Sequence, residues 1–206
     1  NERIEASAPC GFDSIAMLKN GDGAWSMNQE SVDLNAYLYK EDLDLAQVAS
    51  ILGKARDHDL WLKEAAAMKA SIQARMFDNK RGYFFDRKLG HDELVDTYGS
   101  EGWIPLWAGA ASPAQARSVA RVMLDPARFN TRMPFPTLAA DDPRFSPIKG
   151  YWRGPVWLDQ AYFGVEALRR YGDDHQADEM ARRLVLNADG LTQQAPIYEN
   201  YDPLTG

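Results

Sequence analysis

A single acidic residue near the end of the chain, Glu199, lies between two tyrosines, Tyr198 and Tyr201. Earlier in the chain, residues 150–157 contain one arginine, one tyrosine and two tryptophans. Aromatic rings pack against the apolar faces of a pyranose, and a carboxylate held beside them can transfer a proton. This combination of residue types favours chemistry on a sugar.

The abundance of aromatic residues supports the same interpretation. The chain has six Trp, nine Tyr and eight Phe, which is more than a helical core needs. Core packing is the simpler explanation for any single ring, but the aromatic residues cluster where loops meet predicted helices. These clusters are Trp103 with Trp107, residues 151–157, Tyr162 with Phe163, and Tyr198 with Tyr201.

Composition and charge limit the class of protein. A chain of 206 residues can form one domain or part of a larger one. The net charge of −7 disfavours nucleic-acid binding, which needs a basic face. No apolar run approaches the roughly 18 residues that span a bilayer. We therefore expect a soluble protein, periplasmic or cytoplasmic in a bacterium, and the lone Cys10 excludes an internal disulfide and a cysteine-based metal cluster.

The hydrophobic pattern predicts an all-α fold built from pairs of helices. In each pair the first helix is rather apolar all round, whereas the second is amphipathic and therefore faces solvent on one side. This alternation is typical of a helical toroid of the (α/α) type or of a stacked helical solenoid, and the irregular spacing favours the toroid. The predicted first helices span residues 31–52, 102–110 and 155–171, and their partners span residues 58–76, 113–124 and 174–188.

Local signals predict where several of these elements begin and end. Gly53 ends the first helix, Asp57 or Asp59 caps the second, and Ser112 followed by a proline opens a later one. A short β-hairpin is predicted near residues 82–90, and the proline-rich segment 125–150 is expected to be irregular.

Polar and aromatic residues lie at the predicted starts of the inner helices. Asp33 begins one helix, Glu101 and Trp103 begin another, and residues 151–154 precede a third. In a toroid these helix starts converge on one mouth, where a binding pocket is expected.

Four ordered segments resemble glycoside hydrolase family 63, namely residues 29–38, 101–109, 151–157 and 198–201. That family comprises inverting α-glucosidases and mannosylglycerate-type hydrolases on an (α/α)6 barrel. A looser similarity connects the same segments with the trehalases of family 37. The resemblance implies that residues 1–206 are a single domain forming part of the barrel. The N-terminal helices and the C-terminal end would then belong to the remainder of the parent polypeptide.

The resemblance also implies roles for particular residues. Glu199 would be the general base that activates water for attack on an α-linked glycoside. Tyr151, Trp152 and Trp157 match positions that line the −1 sugar subsite. Arg153 would pair with Glu199 or bind a sugar hydroxyl. The structural alternatives are an exposed glutamate in a polar tail, rings packed at a helix start, and an ion pair within the loop.

Two further carboxylates and one more aromatic residue are candidates for substrate binding. Glu101, beside Trp103, would bind sugar hydroxyls or act as an acid, and Asp33 would cap its helix or hydrogen-bond a neighbouring loop. A supporting or capping role is favoured for both acids, because the helix dipole stabilises an acid in the first turn.

An inverting mechanism requires a second carboxyl group, held about 6.5–9.5 Å from the base. Asp13 is only loosely similar to the acid of the family pattern. We therefore expect the general acid to lie upstream of this chain.

Other functions are compatible with parts of the sequence. A sugar epimerase on a similar toroid would use histidine pairs, but His58, His91 and His175 fall on predicted outer helices or loops. A trehalase-like hydrolase and a non-catalytic helical domain that binds carbohydrate or protein remain open. No cofactor is expected, and the turn at residues 20–23 is too short for a calcium loop.

Overall fold

The computed structural model describes residues 29–192 and 194–206, and all six predicted helices are present in it. A 3₁₀ helix, Ser100–Trp103, leads directly into the short third helix. Cys10, Asp13 and the turn at residues 20–23 lie outside the described residues. The helices are α1 (Val32–Ile51), α2 (Ala55–Arg75), α3 (Ile104–Ala108), α4 (Pro113–Met123), α5 (Leu158–Arg170) and α6 (Asp174–Asn187).

The local signals predict most of the helix ends correctly. Ser112 caps α4 in a reciprocal capping box with Gln115, and Pro113 occupies the first helical position. Gly53, just beyond α1, has a φ of +68°, a left-handed conformation that glycine adopts without strain. The prediction that Asp57 or Asp59 caps α2 is wrong. The turn after α1 is short, so α2 begins at Ala55 and Lys54 occupies the N-cap position. Asp57 instead lies in the first turn, where its charge complements the helix dipole.

In the described part of the chain, six two-residue strands form three antiparallel pairs. The strand expected near residues 82–86 is present as β3, but it pairs with the preceding strand β2. A bridge between Arg87 and Leu94 closes the turn that contains Gly90. The pairs are β1 (Gln29–Glu30) with β4 (Arg87–Lys88), β2 (Phe77–Asp78) with β3 (Tyr83–Phe84), and β5 (Val156–Trp157) with β6 (Asn200–Tyr201).

The first helices of the three pairs pack side by side. Helix α3 lies between α1 and α5, while α2 packs on α1 and α6 packs on α5. Each inner helix contributes one ring to a shared aromatic contact. The Trp107 ring lies 5.7 Å from that of Tyr37 and 4.6 Å from that of Phe163. The predicted alternation of inner and outer helices is confirmed.

One side of α1 departs from the expectation for an inner helix. Leu34, Leu38, Val48 and Ile51 are exposed, with Ile51 at 77%. Within the part of the chain that the structure describes, no element covers this apolar side. Across residues 29–192 and 194–206, no helix combines the length and the apolar character needed to cross a membrane.

Candidate active site

The short β5–β6 pair brings the two aromatic segments of the sequence together. Val156 pairs with Tyr201, and Trp157 pairs with Asn200. Glu199 precedes this ladder directly, so it lies beside the loop that enters β5. Residues that are more than forty positions apart in the sequence thereby form one site.

Glu199 is exposed and makes a direct contact with this loop. The hydroxyl group of Tyr151 donates a hydrogen bond to Oε1 of Glu199 at 3.1 Å. On the other side, the backbone N–H of Tyr198 donates to the hydroxyl oxygen of Tyr201 at 3.0 Å. That hydroxyl group donates in turn to the carbonyl oxygen of Asp189 at 2.9 Å. The backbone around Glu199 is thus fixed, while its carboxylate remains open to solvent.

Two tryptophans form a stacked pair next to the carboxylate. The rings of Trp152 and Trp157 are 4.2 Å apart and inclined by only 7°. The ring of Tyr151 meets both edge-on, at 89° to Trp152 and 85° to Trp157. The indole N–H of Trp157 donates to the carbonyl oxygen of Tyr151 at 2.9 Å. Each indole covers one face of the other, and Trp157 is buried at 9% exposure, so its expected role as a sugar-stacking ring is not supported by this structure. Trp152 is half-buried and is the indole of the pair that a sugar ring can reach.

Arg153 lies in the same loop and is half-buried. Its backbone N–H donates to the carbonyl oxygen of Gly150 at 3.0 Å, and its own carbonyl oxygen accepts from the N–H of Ser146 at 2.7 Å. The loop is therefore a compact turn that carries Tyr151, Trp152 and Arg153 on successive positions.

Thr137, which the sequence did not single out, holds this loop against the rest of the fold. It is fully buried. Its hydroxyl group donates to the carbonyl oxygen of Pro155 at 3.0 Å and accepts from the N–H of Gly154 at 3.3 Å. Its carbonyl oxygen accepts from the N–H of Ser100 at 3.2 Å. Thr137 thus connects the starts of two inner helices, but it lies in an irregular segment where no periodic signal marks it.

A second group of polar residues surrounds the start of the 3₁₀ helix. Burial of its carboxyl group raises the pKa of Glu101 well above the ordinary value, and the negative charges of Asp86 and Asp33 add to this shift. Asp86 is buried at 3% exposure, and its Oδ1 accepts from the backbone N–H of Val32 at 2.8 Å. Asp86 was not among the candidates from the sequence; an acid directly after the three aromatic residues 83–85 is the signal that marks it.

Asp33 contacts its own helix start. Its Oδ1 accepts from the backbone N–H of Leu34 at 2.7 Å, and the hydroxyl group of Ser31 also donates to it. These bonds are those of an acid that stabilises the first turn of a helix.

Trp103 is fully buried, in contrast to the half-buried Tyr151 and Trp152. Its indole N–H donates to the carbonyl oxygen of Gln160 at 3.2 Å, and its ring packs against Phe129 at 5.2 Å. Its face is therefore occupied by the core and is not a surface on which a sugar can stack in this structure.

The three histidines stay apart from this site. His58 lies near the start of α2 beside Asp59 at 3.0 Å, His175 lies in α6, and His91 lies in the turn after β4. Over the described ranges, no three His, Cys, Asp or Glu side chains are grouped to hold a metal ion.

The cleft lined by Trp107 and Arg170 lies away from the candidate site. It encloses about 390 Å³ and is also lined by Glu166 and Arg169. Glu166, Arg169 and Arg170 belong to the C-terminal part of α5, about 14–20 Å along the helix axis from Trp157. The cleft and the carboxylate Glu199 are therefore at opposite ends of the inner helices.

Fold and family comparisons agree on the class of protein. The mostly helical chain has the architecture of the six-hairpin (α/α)6 glycosidases. It belongs to a family of glycoside hydrolases: the model described as "Mannosylglycerate hydrolase MGH1-like glycoside hydrolase domain" matches residues 14–206. The resemblance to glycoside hydrolase family 63 is thereby confirmed.

Individual relatives give the same result. The chain is 31% identical over 175 residues to mannosylglycerate hydrolase MGH1 of Selaginella moellendorffii, covering 84% of this chain and 34% of that protein. A solved family 63 mannosylglycerate hydrolase from Thermus thermophilus, in complex with glucose, has a TM-score of 0.69 at 28% identity, over 86% of this chain and 40% of that one. Neutral trehalase Nth1 from Saccharomyces cerevisiae shares the fold, with a TM-score of 0.73 at 24% identity, covering 87% of this chain and 35% of that one. The chain thus spans about a third to two fifths of the length of these relatives.

Proposed function

We propose that this chain is part of an inverting hydrolase that cleaves a small α-linked glycoside, with Glu199 as the general base. The observation that supports this most directly is the pairing of an exposed carboxylate with the hydroxyl group of Tyr151 at 3.1 Å, next to the stacked rings of Trp152 and Trp157. The half-buried ring of Trp152 is proposed to pack against the sugar, and the exposed Glu199 offers a proton acceptor in the same site.

The proposed reaction is a single displacement. Glu199 accepts a proton from a water molecule that attacks the anomeric carbon, and the anomeric configuration inverts. A second carboxyl group, about 6.5–9.5 Å from the base, protonates the oxygen of the leaving group. We propose that this acid lies upstream of this chain. Asp33 is not proposed for the role, because its bonds are to its own helix start. Arg153 and Glu101 are proposed to bind sugar hydroxyls.

The relatives support a proposed substrate class. Several of them are mannosylglycerate hydrolases, and the Thermus thermophilus enzyme was solved with glucose and with Tris and D-glycerate. A hexose joined by an α-linkage to a small polar group is therefore the proposed substrate. A trehalase-like substrate, two linked glucoses, is the second candidate within the same mechanism.

The exposed side of α1 supports the proposal that these residues form part of a larger barrel. The structure has three pairs of helices in the residues it describes, whereas the architecture has six. Leu34, Leu38, Val48 and Ile51 form an apolar strip of the kind that an adjoining inner helix covers. We propose that the remaining helices belong to the same parent polypeptide.

A non-catalytic carbohydrate-binding domain is the alternative from another class. The stacked tryptophans would serve such a domain equally well. A hydrolase of the proposed kind requires the carboxylate of Glu199 for turnover, whereas a binding domain catalyses no reaction.

The test uses the intact parent protein with Glu199→Gln, assayed on mannosylglycerate, trehalose and 4-nitrophenyl α-D-glucoside. The amide keeps the shape of the side chain but cannot accept the proton, so kcat should fall by about 10²–10⁴-fold while KM changes little. Glu64→Gln, an exposed position on α2, is the matched control and should retain full activity. Full retention of turnover by Glu199→Gln would reject Glu199 as the base.

A further inference from the structure

Tyr151 meets Glu199 through its hydroxyl group, not through the face of its ring. We propose that Tyr151 is a positioning residue: its hydroxyl group holds the carboxylate of Glu199 in the orientation in which it accepts a proton from water. This inference rests on the proposed role of Glu199. It changes the expected role of Tyr151 from a wall of the sugar subsite to a support for the base.

The orientation of the Tyr151 ring supports this role. The ring stands at 89° to Trp152 and 85° to Trp157, whereas the two indoles lie parallel at 7°. Trp157 is buried under this stack at 9% exposure, so the half-buried Trp152 is the indole proposed to pack against the sugar. Tyr151 packs against that pair edge-on, and its hydroxyl group reaches Oε1 of Glu199 at 3.1 Å.

The backbone of Tyr151 is fixed in a conformation that most residues avoid. Its φ is +54°, in the left-handed region where a side chain with a Cβ is disfavoured. The indole N–H of Trp157 donates to the carbonyl oxygen of Tyr151 at 2.9 Å and so restrains the peptide. An unusual backbone conformation that surrounding contacts maintain is typical of a residue whose side chain must point in one direction.

The side chain of Glu199 is in a position where such support matters. The β5–β6 pairing and the bonds of Tyr198 and Tyr201 fix its backbone, but its side chain is exposed. Among the described residues, Tyr151 is the one that hydrogen-bonds its carboxylate. An exposed glutamate without this bond would sample several rotamers, and a general base works only within hydrogen-bond reach of its water.

The experiment removes the hydroxyl group and keeps the ring, with Tyr151→Phe in the intact parent protein. We expect kcat to fall by about 10- to 100-fold and KM to stay within about threefold, because the ring at position 151 and the proposed contact of Trp152 with the sugar are kept. Tyr162→Phe is the matched control, since Tyr162 is 59% exposed on α5, and it should behave as the unmodified enzyme. Melting curves of both variants should superimpose on that of the unmodified protein.

A double variant separates support of the base from direct binding of the sugar. If Tyr151 acts through Glu199, then adding Tyr151→Phe to Glu199→Gln should cause no further loss. Losses that multiply, or a Tyr151→Phe variant that raises KM at unchanged kcat, would overturn the positioning role while leaving Glu199 as the base. A fully active Glu199→Gln variant would overturn both the base and its support.

Discussion

The buried carboxylate of Asp86 accepts a hydrogen bond from the backbone N–H of Val32 at 2.8 Å, which joins the loop after β3 to the first residue of α1. This bond satisfies one of the N–H groups that a helix start leaves unpaired. It also places Asp86 near Glu101, so that the starts of two inner helices share one acidic group of residues.

Asp86→Ala should lower the free energy of unfolding by about 1–3 kcal/mol, because the N–H of Val32 would lose its acceptor in a buried position. Asp86→Asn keeps a carbonyl oxygen at the same place and should cost less. Urea denaturation at neutral pH measures both. Equal stability of the alanine variant and the unmodified chain would show that the bond contributes nothing.

Glu101 should make stability depend on pH in a definite direction. Its pKa is raised in the folded state, so the folded chain binds this proton more tightly than the unfolded chain does. Both forms are protonated below the ordinary pKa, and the contribution of Glu101 to stability falls as the pH rises above it. Glu101→Gln removes this dependence. The free energy of unfolding of the variant minus that of the unmodified chain should therefore be larger at pH 8 than at pH 5. A constant difference between the two proteins across this range would contradict the raised pKa.

Thr137→Val should loosen the loop that carries Tyr151. The valine fills a similar volume but loses the hydroxyl group that contacts Pro155 and Gly154, so we expect a loss of about 1–3 kcal/mol in the free energy of unfolding. Thr205→Val, at an exposed position, is the control and should cost only a few tenths of a kcal/mol. Hydrogen exchange at Gly154 provides a local measurement, and unchanged protection there would contradict the role of Thr137.

Gly102→Ala should destabilise the start of the third inner helix. A Cβ at this position would collide with the ring of Tyr83 and approach the carbonyl oxygen of Phe84 to 2.7 Å, so the expected cost is about 1–3 kcal/mol. Gly53→Ala meets no neighbouring atom and should cost only about 1 kcal/mol, from its left-handed backbone. Thermal melts of the two variants compare them directly, and equal melting temperatures would show that space at Gly102 is not limiting.

The helices were predictable because their signals are local. Ser112 and Pro113 mark the start of α4, and the apolar periodicity marks the lengths of α1 and α5. The partners of the short strands were not predictable, because two residues carry no periodic pattern. Tyr83, for example, pairs with Asp78 of the preceding strand β2, and this partner is known only from the structure.

Part of the candidate site was also predictable, because some of its residues are marked by local sequence signals. The number and clustering of the aromatic residues pointed to this region, and the resemblance to family 63 assigned Glu199 its expected role. Burial and contacts over long sequence separations do not follow from residue type. For this reason Trp103 lies in the core, and Asp86 and Thr137 were overlooked.

The base assignment is tested most directly by chemical rescue of Glu199→Ala in the intact parent protein with an activated α-glycosyl substrate. Removing the carboxylate leaves space for a small anionic nucleophile that needs no general base. We expect very slow hydrolysis without azide, and a restored rate with azide that yields a glycosyl azide of inverted, β configuration. Hydrolysis at the rate of the unmodified enzyme, or an azide product of retained configuration, would contradict the assignment of Glu199 as the base of an inverting hydrolase.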